Sequence, residues 1–166
     1  MTHDSRFVYI KPYTTRELRP QETDKISVDD QQFDRLLRRG EVLWVNQVFG
    51  ARYAPPRQPL MAALESNYFP VLDWPVSEVK KVKDTLGDKV VVVYVEPPTL
   101  VELASRLKKR GGHSEERLAE AKAELEALAC GRYNAVIDIR VVNGTDELSY
   151  IADRVCKAYL RCLDTR

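Results

Sequence analysis

Histidine and cysteine are scarce in this sequence, and their scarcity limits the chemistry that the chain can support. His3 and His113 are the only histidines among the 166 residues, so a histidine-based metal site is not expected. The cysteines Cys130, Cys156 and Cys162 are odd in number and contain no Cys-x-x-Cys pair. They predict reduced thiols rather than a disulfide framework or a zinc site. We therefore expect no bound metal.

Long apolar runs and an excess of one charge are also missing. No stretch approaches the roughly 18 apolar residues of a membrane helix, and residues 1–6 lack the apolar core of a signal peptide. Lys and Arg total 26 against 25 acidic residues, which leaves no broad basic surface for nucleic acid. The expectation is a cytoplasmic protein with no membrane and no nucleic-acid partner. Any anion binding must be local.

The pattern of apolar residues alternates between the periods of strands and helices. The length suits one domain, and 44% hydrophobic residues are enough for a sizeable core. Strands are predicted at residues 7–11, 42–49, 69–73, 89–95 and 135–142. Helices are predicted at 29–39 with Ser27 as its cap, at 56–66, and from Ser77, Thr99, Ser114 and Thr145 onwards. This alternation predicts an α/β domain with a largely parallel sheet.

Two arginines stand three residues apart directly after the first predicted strand. The run from Tyr13 to Glu22 reads Tyr-Thr-Thr-Arg-Glu-Leu-Arg-Pro-Gln-Glu and places Arg16 and Arg19 at a strand end. Strand ends of α/β sheets are where anionic ligands bind, and a guanidinium group gives phosphate two parallel charge-assisted hydrogen bonds. The spacing alone allows two interpretations. The arginines form a phosphate clamp, or they are solvated loop charges balanced by Glu17 and Glu22.

The run Thr-Thr-Arg-x-x-Arg-Pro-x-Glu resembles the start of the GMP-binding region of guanylate kinases. The resemblance continues in a Gly-x-x-Tyr turn at residues 50–53 and in a Pro-Pro-Thr segment at residues 97–99. It covers residues 7–163 and implies a guanylate-kinase-like domain, with a mostly parallel sheet flanked by helices. A small GMP-side subdomain would occupy residues 27–56 and a short lid residues 108–117. The family's first strand, phosphate loop and first helix would precede Phe7, so we expect them to be missing.

The resemblance also implies roles for individual residues on the acceptor side. Arg16, Arg19 and Tyr53 match the groups that hold the GMP phosphate. Asp73 is the remaining acid of the family's Asp-x-Asp, since the second position is Pro75 here. On the lid side, Arg110 and Arg117 match arginines that bridge donor and acceptor phosphates, although the segment between them is shorter than is usual in the family. Clustered guanidinium groups stabilise the charge on a transferring phosphoryl group.

The sequence departs from the family at both ends of the site. No Gly-x-x-x-x-Gly-Lys-Ser/Thr loop, which would hold the phosphates of ATP, occurs in the 166 residues. The groups that read guanine are replaced by Pro12, Trp44 and Pro55, and the tyrosine expected within residues 25–28 is absent. We therefore expect no cofactor for the chain as given, and ATP with Mg²⁺ only if a phosphate loop comes from elsewhere.

Three functional hypotheses stay open. The chain is a binding module, like the guanylate-kinase-like domains of scaffold proteins, which hold phosphorylated or acidic peptides and carry proline at the position of Pro12. Alternatively it is a nucleoside-monophosphate or sugar-phosphate kinase whose phosphate loop lies upstream or in another chain. The third hypothesis is a homologue that has lost its ligand. We favour the non-catalytic interpretation. The absent central strand also predicts a homo-oligomer, or a partner chain that completes the sheet.

Overall fold

The computed structural model describes residues 4–111, 114–144 and 148–164, and the chain divides into two compact units. One unit is Thr2–Glu78 and the other is Val79–Arg166. The three cysteines are free thiols. None of the helices within these described ranges is both long and apolar enough to cross a membrane.

The first unit combines a parallel strand pair with a small four-stranded sheet. Its elements in chain order are β1 (Phe7–Tyr9), β2 (Tyr13–Thr14), β3 (Ile26–Ser27), α1 (Asp30–Arg38), β4 (Asn46–Val48), β5 (Ala51–Ala54), α2 (Arg57–Glu65) and β6 (Phe69–Val71). β1 pairs in parallel with β6. The second sheet has the order β3-β2-β5-β4, in which β2 and β3 are parallel and the other pairs are antiparallel.

The second unit places helices around a second parallel strand pair. Its elements are α3 (Val79–Leu86), β7 (Val93–Glu96), α4 (Leu100–Arg110), α5 (Ser114–Ala129), β8 (Ile139–Val142) and α6 (Leu148–Asp164). β7 and β8 pair in parallel, although residues 97–138, which include α4 and α5, lie between them in the chain. The alternation of helices with parallel strands confirms the predicted α/β class.

Two apolar clusters hold the first unit together. Their buried members are Ile10, Leu60 and Ala63 in one cluster, and Phe33, Val42 and Ala54 in the other. Tyr13 packs against the second cluster, and the Arg52 guanidinium lies 4.5 Å from the centre of the Phe33 ring. Because this cluster joins α1 to β2 and β5, it fixes the strands that carry the arginine motif and Tyr53.

A tight hairpin replaces the long strand predicted at residues 42–49. Phe49 and Gly50 have positive φ angles of 48° and 76°, as in a two-residue type I′ turn, and Val48 pairs with Ala51 across it. The prediction was wrong in placing Tyr53 in a turn, since it lies on β5. Periodicity could not locate this hairpin because apolar residues occupy both faces of the run and Phe49 is not a typical residue for a left-handed position.

The two strands of the second unit are shorter than predicted. β7 begins at Val93 rather than Lys89, because residues 87–89 form a 3₁₀ turn. Residues 135–138 precede β8 without being part of it, and the Val92 carbonyl accepts hydrogen bonds from the N–H groups of Asp138 and Ile139, each at 3.0 Å. Both strands were predicted, but each begins four residues later than expected, at Val93 and at Ile139.

Asp29, not Ser27, caps α1. The Asp29 carboxylate accepts a hydrogen bond from the Gln32 N–H at 2.6 Å, and the Gln32 side chain accepts one from the Asp29 N–H at 3.1 Å. This is a reciprocal capping box. The Ser27 hydroxyl donates instead to the Arg16 carbonyl at 2.8 Å, so it supports the arginine segment.

Loss of this cap gives a measurable change in stability. Asp29→Ala should lower the free energy of unfolding in urea by about 1 kcal/mol, because the first turn of α1 loses an acceptor. Asp29→Asn keeps an acceptor and should stay within a few tenths of a kcal/mol of the parent protein. Equal losses in the two variants would contradict the assignment of the cap.

Candidate functional site

Arg16 is held in place by hydrogen bonds at the end of β2. Its Nε donates to the Tyr53 hydroxyl at 3.1 Å, and its Nη1 donates to the Glu17 carbonyl at 2.8 Å and to the Glu22 carboxylate at 2.7 Å. Nη2 donates to the second Glu22 oxygen, which makes the pair bidentate. The pairing of Thr14 with Tyr53 across β2 and β5 brings the hydroxyl within reach. Most of the Arg16 donors are therefore used inside the chain.

Glu22 is the acceptor at the centre of this arrangement. Its side chain is 9% exposed, and its Oε2 also accepts a hydrogen bond from the Arg19 backbone N–H at 2.9 Å. The hydrogen bonds from Arg16 lower the pKa of Glu22 from 4.5 to about 2, because they stabilise the carboxylate. The same pair raises the pKa of Arg16. Both groups are therefore charged at every physiological pH.

Because the pKa of Glu22 is lowered in the folded protein, the free energy of unfolding depends on pH. A carboxylate whose pKa falls on folding contributes stability above its unfolded pKa, near 4.5, and loses that contribution as the pH falls toward 2. The difference in unfolding free energy between the parent protein and Glu22→Gln should therefore shrink by about 1.5 kcal/mol between about pH 6 and about pH 3, measured in urea. A difference that is the same at both pH values would contradict the pairing.

Arg19 has a different environment from Arg16. The Glu22 N–H donates to the Arg19 carbonyl at 3.0 Å and closes a turn, in which Gln21 has a φ of 64°. Within the described ranges the half-buried Arg19 side chain makes no hydrogen bond and no ion pair. The Tyr53 hydroxyl, which accepts from Arg16, likewise has no acceptor for its own proton among these residues. Both groups are available as donors to a ligand.

Asp73 joins the same region through Tyr9 and Lys25. The Tyr9 hydroxyl donates to Asp73 Oδ1 at 2.6 Å, and Lys25 Nζ lies 3.6 Å from Asp73 Oδ2 and 4.0 Å from Glu22 Oε1. Burial and then the hydrogen bond to Asp73 raise the pKa of Tyr9. The four residues predicted for the acceptor site are thus connected within one unit. We call the connected set the arginine cluster: Arg16, Arg19, Glu22, Lys25, Tyr53 and Asp73.

The positions that should read a guanine base carry side chains unsuited to that task. Pro12 is buried, Pro55 is fully buried, and Trp44 packs against the apolar cluster of Ile10. The Trp44 ring meets that of Trp74 edge-on, with 6.4 Å between the ring centres. None of these side chains is a carboxylate or a hydroxyl, and proline has no N–H to donate.

The predicted lid arginines belong to the second unit. Arg110 is the last residue of α4, and its side chain lies outside the described part of the chain, as do residues 112 and 113. Arg117 is half-buried on α5. The phosphate-bridging role of these two arginines stays a prediction.

Comparison with known proteins decides the family. The family model for guanylate kinase matches residues 1–150. The chain belongs to the guanylate kinase family. It is 34% identical over 137 residues to a guanylate kinase of Deinococcus radiodurans, and the match covers 78% of this chain and 57% of the relative. It is 33% identical over 141 residues to a guanylate kinase of Streptomyces kasugaensis, covering 81% of this chain and 65% of the relative.

A solved guanylate kinase structure agrees with this membership. The crystal structure of guanylate kinase from Anaplasma phagocytophilum superposes with a TM-score of 0.77 at 26% identity. The match covers 97% of this chain and 78% of that structure. The guanylate-kinase-like fold expected from the arginine motif is therefore confirmed. The chain spans less than two thirds of the length of the two curated kinases above, at 57% and 65%.

The guanylate kinase family uses ATP and Mg²⁺, and a phosphate loop that would hold them is not found in the given sequence. The 166 residues hold no Gly-x-x-x-x-Gly-Lys-Ser/Thr loop for the β- and γ-phosphates. No group of three histidine, cysteine, aspartate or glutamate side chains in the described part of the chain is arranged to hold a metal ion. We therefore derive no step through either group.

Three members of the site were not predicted from the sequence. Glu22 was considered only as a balancing charge, although it is the last residue of the arginine motif. Tyr9 and Lys25 had no local signal. The contact of Tyr9 with Asp73 depends on the parallel register of β1 and β6, which pairs Tyr9 with Val71. Lys25 approaches Asp73 from the residue directly before β3. A contact that joins residues so far apart in sequence cannot be found from spacing.

Proposed function

We propose that this guanylate kinase family member binds the phosphate group of a nucleoside monophosphate at the arginine cluster, and that the 166 residues do not transfer a phosphoryl group by themselves. One observation carries the proposal. The Arg19 guanidinium has no partner among the described residues, while its backbone is anchored to Glu22. A fixed arginine with free donors is the group that protein sites use for phosphate.

The two arginines have different roles in this proposal: Arg16 positions the site, and Arg19 contacts the ligand. Glu22 and Tyr53 fix Arg16, and Arg16 in turn holds the Tyr53 hydroxyl where its proton can be donated. Arg19 and Tyr53 then supply the donors that contact the phosphate oxygens. Because most of the surrounding hydrogen bonds exist before the ligand arrives, little ordering is needed on binding.

The base contributes little to recognition in this proposal. A guanine bound near Pro12, Trp44 and Pro55 finds neither a carboxylate nor a hydroxyl at these three positions. Each missing hydrogen-bond partner costs about 1–3 kcal/mol at a buried site. The ligand is therefore recognised by its phosphate, a group that phosphorylated and acidic peptides offer in similar form.

A second candidate function is phosphoryl transfer by a complete kinase. The relatives named guanylate kinase favour it, as does Arg117 on α5, for which a pure binding module has no use. The phosphate loop would then come from residues upstream of this sequence or from another chain. An in-frame Gly-x-x-x-x-Gly-Lys-Ser/Thr encoded upstream of Met1 would favour this candidate.

Calorimetry and a transfer assay separate the two functions. The purified chain is titrated with GMP, with ATP, and with a phosphoserine peptide whose unphosphorylated form is the control. ADP formation from ATP and GMP is followed in parallel. We expect heat from GMP or the phosphopeptide and no ADP above background. ADP formation would contradict the non-catalytic part, and no heat from either phosphate ligand would contradict the binding part.

Two further proposals concern the setting of the protein. Among the described residues β1 pairs only with β6 and β7 only with β8, and open strand edges favour association with another strand. We propose that a second copy or a partner chain completes the sheet. We also propose that the protein is cytoplasmic, as expected from the sequence.

A further inference from the structure

Lys25 is the third cation of the arginine cluster, and its side chain is only 11% exposed. Its Nζ lies 2.8 Å from Asp24 Oδ2, 3.6 Å from Asp73 Oδ2 and 4.0 Å from Glu22 Oε1. The ammonium group is thus set between three carboxylates at the edge of the proposed phosphate site. It reaches this position from the segment between the arginine turn and β3.

Two of these carboxylates are already satisfied by other donors. Asp73 accepts from the Tyr9 hydroxyl at 2.6 Å, and Glu22 accepts from Arg16 and from the Arg19 N–H. The Lys25 distances to Asp73 and Glu22 exceed those of hydrogen bonds and leave only a charge interaction. Within the described part of the chain Asp24 is the one residue that hydrogen-bonds to Lys25, and its side chain is 51% exposed. The strongest of the three Lys25 contacts is therefore with a half-exposed side chain.

The charge balance of the arginine cluster indicates a role for the Lys25 ammonium in binding an anion. Glu22 neutralises Arg16, so a phosphate that approached Arg19 alone would meet one positive charge beside a carboxylate. A phosphate monoester carries nearly two negative charges at neutral pH. Lys25 is a compact charge on a flexible stem, and it can turn from its loose contacts towards a new anion.

We infer that Lys25 binds the phosphate ligand together with Arg19 and thereby selects a dianionic phosphate monoester. The inference rests on the proposed function and adds a residue to it. Asp73 and Glu22 lose no hydrogen bond when the ammonium turns, because Tyr9, Arg16 and Arg19 keep hold of them. The one hydrogen bond that Lys25 gives up, to Asp24, is to a half-exposed carboxylate that water can solvate, so the cost of recruiting Lys25 is small.

The test compares Lys25→Met with Lys25→Arg. Both variants are titrated with GMP and with inorganic phosphate by calorimetry, and their thermal unfolding is recorded. Lys80→Met is the control, since Lys80 is an exposed lysine on α3 that pairs with Asp84. We expect Lys25→Met to weaken both ligands about tenfold, through the loss of a hydrogen bond to a charged group. Lys25→Arg should remain within about threefold of the parent protein, and the control should not change.

The outcomes distinguish this inference from the proposed function. If Lys25 only stabilises its segment, Lys25→Met lowers the unfolding temperature and leaves the affinity of the folded protein unchanged, which would overturn the inference while the parent protein still binds. Failure of Lys25→Arg to restore affinity, in a folded protein, would also overturn it. No binding by the parent protein would overturn both proposals.

Discussion

Replacing Arg19 with alanine is expected to weaken GMP binding about a hundredfold and to leave the fold intact. The guanidinium group makes no hydrogen bond or ion pair with the described residues, so its removal breaks nothing inside the protein. What is lost is a pair of charge-assisted hydrogen bonds to phosphate, worth roughly 1.5–3 kcal/mol. Calorimetric titration gives the affinity, and urea denaturation gives the stability.

Arg39→Ala is the matched control for this prediction. Arg39 is 71% exposed and lies 3.7 Å from Glu41, so the variant removes the same charge from a solvated position. Its affinity for GMP should equal that of the parent protein. If Arg19→Ala bound GMP as tightly as Arg39→Ala, Arg19 would not be the phosphate ligand, and the division of work between the arginines would be wrong.

Replacing Arg16 with methionine is expected to lower the free energy of unfolding by about 3 kcal/mol. The substitution leaves the Glu22 carboxylate, which is 9% exposed, with the Arg19 N–H and the distant Lys25 as its remaining donors. It also removes the donor to the Tyr53 hydroxyl. A buried charge that loses its partner is among the costlier defects in a protein.

A double variant tests whether the lost stability comes from the unpaired Glu22 carboxylate or from lost packing of the Arg16 side chain. Arg16→Met combined with Glu22→Leu replaces the pair by apolar groups, which is often close to neutral, so most of the lost stability should return in urea denaturation. A double variant as unstable as Arg16→Met would show that packing of the arginine stem, not its pairing with Glu22, holds the segment. Arg16 would then be free to contact a ligand.

Much of the fold could be predicted because its signals are local. The apolar run near Phe7 and the amphipathic spacing after Asp29 each arise within a single strand or helix. The hairpin at Phe49 and Gly50 depends on two left-handed residues, and sequence offers only the glycine as a sign. The late start of β7 depends on the 3₁₀ turn before it. Boundaries of this kind are set by turns whose backbone conformation the apolar pattern does not reveal.

The candidate site likewise has features that the sequence reveals and features that it does not. Its arginines are recognisable because a family motif fixes their spacing, and the motif correctly indicates membership of the guanylate kinase family. The spacing does not tell which arginine is paired. Glu22 pairs with Arg16, and the Arg19 side chain has no partner among the residues that the structure describes; the turn between them depends on Gln21. Tyr9 reaches Asp73 through the register of β1 and β6, and Lys25 reaches it from the segment before β3. A single sequence reveals neither arrangement.

In the function proposed above, this family member recognises a phosphate group and not a base. The most direct measurement is a pair of calorimetric titrations of the same preparation with GMP and with CMP, which share their phosphate and ribose. We predict that the two dissociation constants lie within about threefold of each other. In Arg19→Ala both ligands should bind about a hundredfold more weakly. Binding of GMP about a hundredfold more tightly than CMP would contradict the account, because it would require base-reading groups near Trp44.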